Sequence, residues 1–157
     1  MKRTVLALGL MALVSPAFAN GEKSEIQCLA RNIYFEARSE SVEGQRAVAL
    51  VTMNRVQSER FPDTVCGVVH QAVRNASGVP VRNKCQFSWF CDGKPDKIKN
   101  KEAWNEALSI AKDVYHDQSD DITGGATFYH THAVHPYWAK KFRRVGSIDS
   151  HIFYAMK

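Results

Sequence analysis

An unbroken apolar run at residues 47–51 constrains the fold more than any other feature of this sequence. It lies within a proline-free segment, Val42–Val56, which follows Ser41, a residue type that favours helix N-caps. A helix that is apolar on every side is usually buried in a globular protein. The sequence therefore predicts a helix that runs through the core, with the other elements packed around it.

Two further segments have the apolar spacing of amphipathic helices. Residues 24–38 and the region around residues 104–115 each repeat apolar side chains at intervals of three or four, which places them on one helical face. A short turn at residues 39–41 separates the first of these helices from the core helix. The two stripes consist of Ile26, Leu29, Ala30, Ile33 and Ala37, and of Trp104, Ala107, Leu108, Ala111 and Tyr115.

The remaining segments are shorter and more varied. A short helix is predicted up to Val73, capped by Asp63 or Thr64, and a loop with a glycine and a proline follows it. Residues 126–134 and 148–156 contain aromatic and β-branched residues in partly alternating order, which is typical of strands. We therefore predict one α+β domain that is mainly helical, with a small β element near its C-terminus.

The N-terminal residues differ in composition from the rest. Two basic residues precede an apolar run at residues 4–14, and an A-x-A cleavage pattern follows at residues 17–19. These three features, in this order, indicate a secretory signal peptide, and the apolar run is too short to span a bilayer. A buried N-terminal helix is the alternative. We expect a leader at residues 1–19 and a mature domain at residues 20–157, exported to the periplasm or cell envelope without stable membrane insertion.

The charge of the mature domain indicates which kind of polymer it binds. Without the leader it has 19 basic and 16 acidic residues, a net charge of +3, compared with +5 for the whole sequence. Mild basicity suits an anionic polymer such as the cell wall. No run of lysine and arginine is longer than two residues and no nucleic-acid motif is present, so we expect no nucleic-acid partner. We expect a monomer.

Four cysteines lie beyond the leader, and an even number in an exported chain indicates disulfides. Four cysteines allow three pairings, and the sequence alone does not choose among them. Cys85 and Cys91 are close neighbours, so a local loop is the economical pairing, which would leave Cys28 to tie the first helix to Cys66. A zinc site is the rival interpretation, but the sequence has no C-x-x-C pair.

Glu36 is the leading candidate for a catalytic residue. It lies close to the apolar stripe of the first helix, seven residues after Leu29 and three after Ile33. Partial burial raises the pKa of a carboxyl group and keeps it protonated near neutral pH, and glycosidic cleavage needs such an acid to protonate the leaving oxygen. Asn32, one turn earlier, is placed to hydrogen-bond the same carboxyl. The alternative is a solvated glutamate at a helix end.

Several sequence blocks occur in an order that is typical of one family. The first is CLARNIYFEARSESVEGQ at residues 28–45, which contains Glu36, and VTMNRV follows at residues 51–56. The chain resembles the SleB-type cell-wall hydrolases over residues 26–154, nearly the whole mature domain. The further matching blocks are residues 61–62, 65–69, 85–89, 91–93, 125–130, 136–138 and 146–154.

This resemblance implies a lysozyme-like domain of the kind found in lytic transglycosylases and resuscitation-promoting factors. It also implies that Glu36 is the catalytic residue and that the substrate is the MurNAc–GlcNAc glycan strand of peptidoglycan. One departure is visible, because Ser39 stands where the family often has glycine, but this removes no chemical group. We therefore expect a glycan-strand-cleaving enzyme, either a lytic transglycosylase or a muramidase.

A second carboxylate would distinguish these two reactions. A two-carboxylate hydrolase needs one to activate water or to attack the sugar, and Glu43 is a better candidate than Glu40. The helix dipole also favours a glutamate in a first helical turn, and we prefer that interpretation of Glu43. A lytic transglycosylase needs only one carboxylate, because the sugar's own 6-hydroxyl closes an anhydro ring.

The segment between Cys85 and Cys91 carries residues that suit a sugar-binding cleft. Gln86 offers an amide for N-acetyl groups, Ser88 offers a hydroxyl, and Trp89 offers an aromatic face on which a sugar ring can stack. Ordinary core packing is the alternative for Trp89.

Aromatic residues and histidines are also dense near the C-terminus. Tyr129, His130 and Trp138 are predicted to bind sugar, and His151 is predicted to be structural or to line the cleft. His130 and His132 are two residues apart, so on a strand they share one face, as metal ligands can. No H-E-x-x-H motif and no clear acidic ligand accompany them. We therefore predict no metal and no cofactor. The competing functions are a zinc-dependent amidase or peptidase that uses these histidines and a non-catalytic wall-binding module.

Overall fold

The computed structural model describes residues 16–117 and 120–156, and these residues form helices, short strands and two 3-10 helices. The helices are α1 (Pro16–Ala37), α2 (Val42–Val56), α3 (Val65–Val69) and α4 (Lys101–His116). The strands are β1 (Ala72–Arg74), β2 (Pro80–Cys85), β3 (Phe128–Thr131), β4 (Arg143–Ile148) and β5 (His151–Ala155). The 3-10 helices are Ser88–Cys91, before α4, and Tyr137–Lys141, before β4.

Helix α2 forms the centre of the core, as predicted. Its bounds coincide with the predicted segment, and the Ser41 side chain accepts a hydrogen bond from the Gly44 N–H at 3.1 Å, as an N-cap does. Residues 47–53 are all buried. Helices α1 and α4 pack against α2 through their apolar stripes, so the helical part of the domain is built around the apolar run at residues 47–51.

Helix α1 begins at Pro16, earlier than the predicted residue 24. No further proline interrupts the following residues, so the helix extends outward from its packed half. The predicted leader lies outside the described residues except for the first turn of this helix, and its removal stays a prediction. Within the described part of the chain, no helix combines the length and the apolar character that crossing a membrane requires.

The segment after α2 differs from the prediction. Helix α3 ends at Val69 instead of Val73, and the predicted loop that follows is an antiparallel hairpin formed by β1 and β2. The sequence pattern does not predict this hairpin, because most of its side chains are exposed and do not alternate between apolar and polar. Asn75 closes its turn by accepting two backbone hydrogen bonds through its side chain, and Gly78 adopts a φ of 76° there.

The predicted β element is a three-stranded antiparallel sheet with the strand order β3-β5-β4. Strands β3 and β5 lie within the predicted segments, whereas β4 is not predicted, because its sequence is basic and largely exposed. The inner face, which carries Tyr129 and Phe153, packs against α2. The outer face carries an aromatic cluster formed by Phe128, His130, Trp138, Phe142 and Tyr154.

Two disulfides pair all four cysteines. Cys28 is joined to Cys66 and Cys85 to Cys91, which is the economical pairing among the three. The first disulfide ties α1 to α3, and the second closes the segment that contains the first 3-10 helix. The prediction of a mainly helical domain with a small β element near the C-terminus is confirmed.

Candidate active site

The Glu36 carboxyl lies half-buried in the last turn of α1. The Tyr129 hydroxyl, on β3, donates a hydrogen bond to Glu36 Oε2 at 3.0 Å. Desolvation raises the pKa of Glu36 above its ordinary value of 4.5, although this hydrogen bond and the positive charge of Arg55 oppose the rise. The carboxyl group therefore stays protonated to a higher pH than a solvated glutamate does.

A cleft of about 170 Å³ lies beside this carboxyl. Its rim is polar, because the side chains of Gln86 and Ser88 are exposed there. The structure thus brings together four of the residues singled out in the sequence, which are Glu36, Gln86, Ser88 and Tyr129. Arg55 and Phe87 complete the lining and were not among the predicted site residues.

Arg55, on α2, is an almost completely buried cation, with only 2% of its surface exposed. Its guanidinium carbon lies 5.1–5.6 Å from the ring centroids of Phe61, Phe87 and Phe128, and its Nε donates a hydrogen bond to the Thr127 carbonyl at 2.7 Å. Burial lowers the pKa of Arg55 to about 10, so the side chain stays charged near neutral pH. Arg55 lies four and seven residues after Val51 and Val48, on the same buried face of α2, and this position is the sequence signal for it, because arginine is rarely buried without partners.

The adjacent residues Asn54 and Arg55 position the strand that carries Tyr129. The Asn54 side-chain amide donates hydrogen bonds of 3.0–3.2 Å to three acceptors in the loop before β3. Arg55 holds the Thr127 carbonyl, two residues before Tyr129. These contacts join α2 to the start of β3, so that the Tyr129 hydroxyl reaches Glu36.

Asn32 does not bind Glu36, and that prediction is wrong. Its side chain is fully buried, with the amide nitrogen donating to Thr52 Oγ1 at 3.2 Å and the oxygen accepting from Trp89 Nε1 at 3.1 Å. Trp89 is buried as well, and its ring stacks on Phe35 at 4.7 Å. Both residues therefore join α1, α2 and the first 3-10 helix, and core packing is the interpretation that fits Trp89.

His130 and Trp138 do not meet Tyr129 at the Glu36 cleft. Side chains alternate across a strand, so His130 points to the outer face of the sheet, where its ring stacks on Tyr154 and contacts Trp138. The two ring nitrogens of His130 make hydrogen bonds of 2.9 Å to the Thr131 carbonyl and 3.0 Å to the Tyr154 hydroxyl. The structure thus separates His130 and Trp138 from Glu36, whereas the sequence predicted that they bind sugar together with Tyr129.

His151 lies on the inner face of the sheet and supports Tyr129. Its ring meets the Tyr129 ring edge-on at 5.1 Å, and burial lowers the pKa of His151. His132 and His135 are exposed beyond the end of β3. Across residues 16–117 and 120–156, no group of three or more His, Cys, Asp or Glu side chains is arranged to hold a metal ion.

The two other candidate carboxylates lie outside the cleft. Glu40 accepts hydrogen bonds from the backbone and the hydroxyl of Ser150 at 3.1 and 2.7 Å, which ties the α1–α2 turn to the β4–β5 hairpin. Glu43 is exposed in the first turn of α2, where the helix dipole favours it.

The sequence matches known proteins over most of its length. A family model for cell wall hydrolases matches residues 39–154, a range that begins just after Glu36. The spore cortex-lytic enzyme of Halalkalibacterium halodurans is 31% identical over 131 residues, which cover 83% of this chain and 34% of that protein. The spore cortex-lytic enzyme of Bacillus cereus is 47% identical over 132 residues, which cover 83% of this chain and 44% of that protein. The chain therefore spans less than half the length of these relatives.

The fold matches solved structures over a larger share of both chains. The catalytic domain of the germination-specific lytic transglycosylase SleB from Bacillus anthracis aligns with a TM-score of 0.61 and 27% identity, covering 92% of this chain and 99% of that domain. The catalytic domain of the Bacillus cereus SleB protein aligns with a TM-score of 0.59 and 29% identity, covering 84% and 90%. The predicted resemblance and the predicted fold class are both confirmed.

Proposed function

Because the chain belongs to the cell wall hydrolase family, we propose that it cleaves the glycan strands of peptidoglycan with Glu36 as general acid. The observation that carries this proposal is the half-buried Glu36 carboxyl, which is hydrogen-bonded to Tyr129 beside a cleft with a polar rim. Its raised pKa suits a group that must be protonated before it acts. The relatives named spore cortex-lytic enzyme and the structural neighbour named lytic transglycosylase support the same class of reaction.

The first step is a proton transfer. Glu36 gives its proton to the glycosidic oxygen as the bond between that oxygen and the sugar C1 breaks. The carboxylate that forms accepts the hydrogen bond from Tyr129 and is attracted by the buried charge of Arg55. Gln86 and Ser88, on the rim, offer the amide and hydroxyl groups that bind the N-acetyl and hydroxyl substituents of the sugar.

The second step closes an anhydro ring. The 6-hydroxyl of the same sugar attacks C1, its proton passes to the Glu36 carboxylate, and the enzyme returns to its initial state without consuming water. This sequence needs a single enzyme carboxylate. Of the described residues that line the cleft, Glu36 alone is acidic, which favours the lytic transglycosylase over the two-carboxylate muramidase.

The substitution Glu36→Gln tests the proposal. Glutamine keeps the shape of the side chain but has no acidic proton to transfer, so release of soluble muropeptides from purified sacculi should fall by at least ~10²–10⁴-fold. Glu43→Gln is the matched control and should retain most of the activity. Circular dichroism checks that both variants are folded. A folded Glu36→Gln protein that clears sacculi at the parental rate would contradict the proposal.

Mass spectrometry of the products separates the remaining candidates. Anhydro-muramic ends indicate a lytic transglycosylase, whereas reducing ends, together with activity loss in Glu43→Gln, indicate a muramidase. Loss of activity with a chelator and recovery with zinc would instead support the amidase or peptidase. A wall-binding module would release no fragments, with or without Glu36.

We also propose that residues 1–19 are a leader and that residues 20–157 act as one catalytic domain in the periplasm or cell envelope. The leader pattern in the sequence supports this, as do the two disulfides, which suit an oxidising compartment. The exported protein should therefore begin at Asn20, which N-terminal sequencing would establish.

A further inference from the structure

Four exposed cations lie close together in sequence, at the end of the second 3-10 helix and the start of β4. They are Lys140, Lys141, Arg143 and Arg144, and we call this segment the basic edge. Arg143 and Arg144 are consecutive on β4, so their side chains leave opposite faces of the sheet. Residues 122–148 contain neither aspartate nor glutamate. The flanking carboxylates are bonded elsewhere, because Asp121 accepts hydrogen bonds from Thr123 and Gly125 and Asp149 accepts hydrogen bonds from Ser41. Within the described residues, none of the four forms an ion pair with a carboxylate. The mild net charge of the domain is therefore unevenly distributed and strongly positive here.

The aromatic cluster on the outer face of the sheet holds the basic edge in place. Trp138 and Phe142 pack against Phe128 with ring centroids 5.5 and 4.3 Å apart, which anchors the segment on both sides of the two lysines. Strand β4 forms one edge of the sheet, and β5 separates it from β3, which forms the other edge and carries Tyr129. None of the four cations lines the Glu36 cleft, and the proposed reaction does not explain them.

Two exposed side chains in the segment that leads from β3 to the basic edge indicate what it contacts. Tyr137 is 80% exposed, with the Lys141 ammonium 5.5 Å from its ring centroid, and Val134 is 50% exposed. Exposed tyrosine and apolar side chains among several lysines and arginines suit the headgroup region of an anionic bilayer. Charge on an edge strand also prevents pairing with other sheets, but that role does not account for the two lysines in the 3-10 helix or for Tyr137.

We propose that the basic edge docks the domain reversibly on an anionic lipid surface and leaves the Glu36 cleft free. The binding is peripheral, because two partly exposed side chains cannot anchor a domain by insertion. Each lysine or arginine near an anionic bilayer strengthens binding about fivefold, so removal of four should weaken it by a few hundredfold.

The test is co-sedimentation of the full chain with vesicles of phosphatidylcholine alone and with vesicles that also contain phosphatidylglycerol. The parent should bind the anionic vesicles more tightly, and the variant K140Q/K141Q/R143Q/R144Q should lose that preference with a ~100-fold or larger drop in partition coefficient. The matched control, K94Q/K97Q/K99Q/K101Q, removes the same charge before and at the start of α4 and should bind like the parent. All three proteins share the N-terminal apolar run, so its contribution cancels.

Three results would overturn the proposal. The first is equal binding of the parent and the basic-edge variant to anionic vesicles. The second is an equal loss in the control variant, which would show an effect of net charge alone. The third is a parent protein that does not bind vesicles but binds sacculi through the basic edge. For the sacculus measurement every protein also carries Glu36→Gln, which prevents cleavage. Because the basic edge lies outside the cleft, its variant should cleave soluble glycan fragments at the parental rate, so failed docking and failed catalysis are distinguishable.

Discussion

Replacing Tyr129 with phenylalanine removes one hydroxyl from the Glu36 cleft and little else. The Tyr129 ring packs against His151 and Phe153 at 5.1 and 5.9 Å, and phenylalanine keeps those contacts. The loss is the 3.0 Å hydrogen bond to Glu36 Oε2. A hydrogen bond to a charged group contributes about 1.5–3 kcal/mol, and about 1.4 kcal/mol corresponds to a tenfold change in rate. We therefore expect glycan cleavage to slow by about 10- to 100-fold.

The same substitution should shift the pH dependence of cleavage. In the parent protein, the Tyr129 hydrogen bond lowers the pKa of Glu36 and so opposes the rise caused by desolvation. Without this bond the pKa of Glu36 rises further, and the protonated acid persists to higher pH. The alkaline limb of the rate profile should therefore move to higher pH. Initial rates of muropeptide release from sacculi over a pH series measure both effects.

Tyr154 provides a matched control on the neighbouring strand. Its hydroxyl also makes a 3.0 Å hydrogen bond, but the partner is His130 Nε2 on the outer face of the sheet. Tyr154→Phe should lower stability without moving the alkaline limb. An alkaline limb that stays in place in Tyr129→Phe, or that moves equally in both variants, would refute the coupling between Tyr129 and Glu36.

Three predictions concern stability. Burial raises the pKa of Glu36 in the folded state, so the ionised carboxylate destabilises the fold above that raised pKa, and this cost is absent below pH 4.5. Glu36→Gln should therefore raise the melting temperature at neutral pH. A gain in melting temperature that persists at acid pH would contradict this. A Cβ at Gly44 would overlap Asp149 Oδ2, so Gly44→Ala should lower the free energy of unfolding in urea by about 1–3 kcal/mol, despite the high helix propensity of alanine. When Asp149 is alanine in both proteins, most of that difference should disappear. Loss of the Cys28–Cys66 disulfide, which spans 38 residues, should lower the free energy of unfolding by about 4 kcal/mol, compared with about 2 kcal/mol for the other disulfide, which spans 6 residues. The reason is that a disulfide across a longer loop restricts the unfolded chain more, and equal losses would argue against this.

The amino-acid sequence by itself determines which segments form the three long helices and which faces of them are buried. The apolar run at residues 47–51 and the Ser41 cap predict α2 correctly, because helix periodicity and capping act over a few residues. The partial burial of Glu36 follows in the same way from its place beside the apolar stripe of α1. Blocks of sequence shared with a known family identify the fold class, since they carry long-range information that periodicity lacks.

Only the tertiary structure decides which distant residues meet at Glu36. Tyr129 lies 93 residues away in sequence, and the alternation of side chains along β3 sends it to the inner face while its neighbour His130 goes to the outer one. Asn32 is one turn from Glu36, yet its amide is bonded to Thr52 and Trp89 instead. Arg55 reaches the cleft because α2 is buried and its last turn is hydrogen-bonded to residues 126 and 127, just before β3. Such contacts depend on how helices and strands pack against each other, and no local pattern encodes that packing.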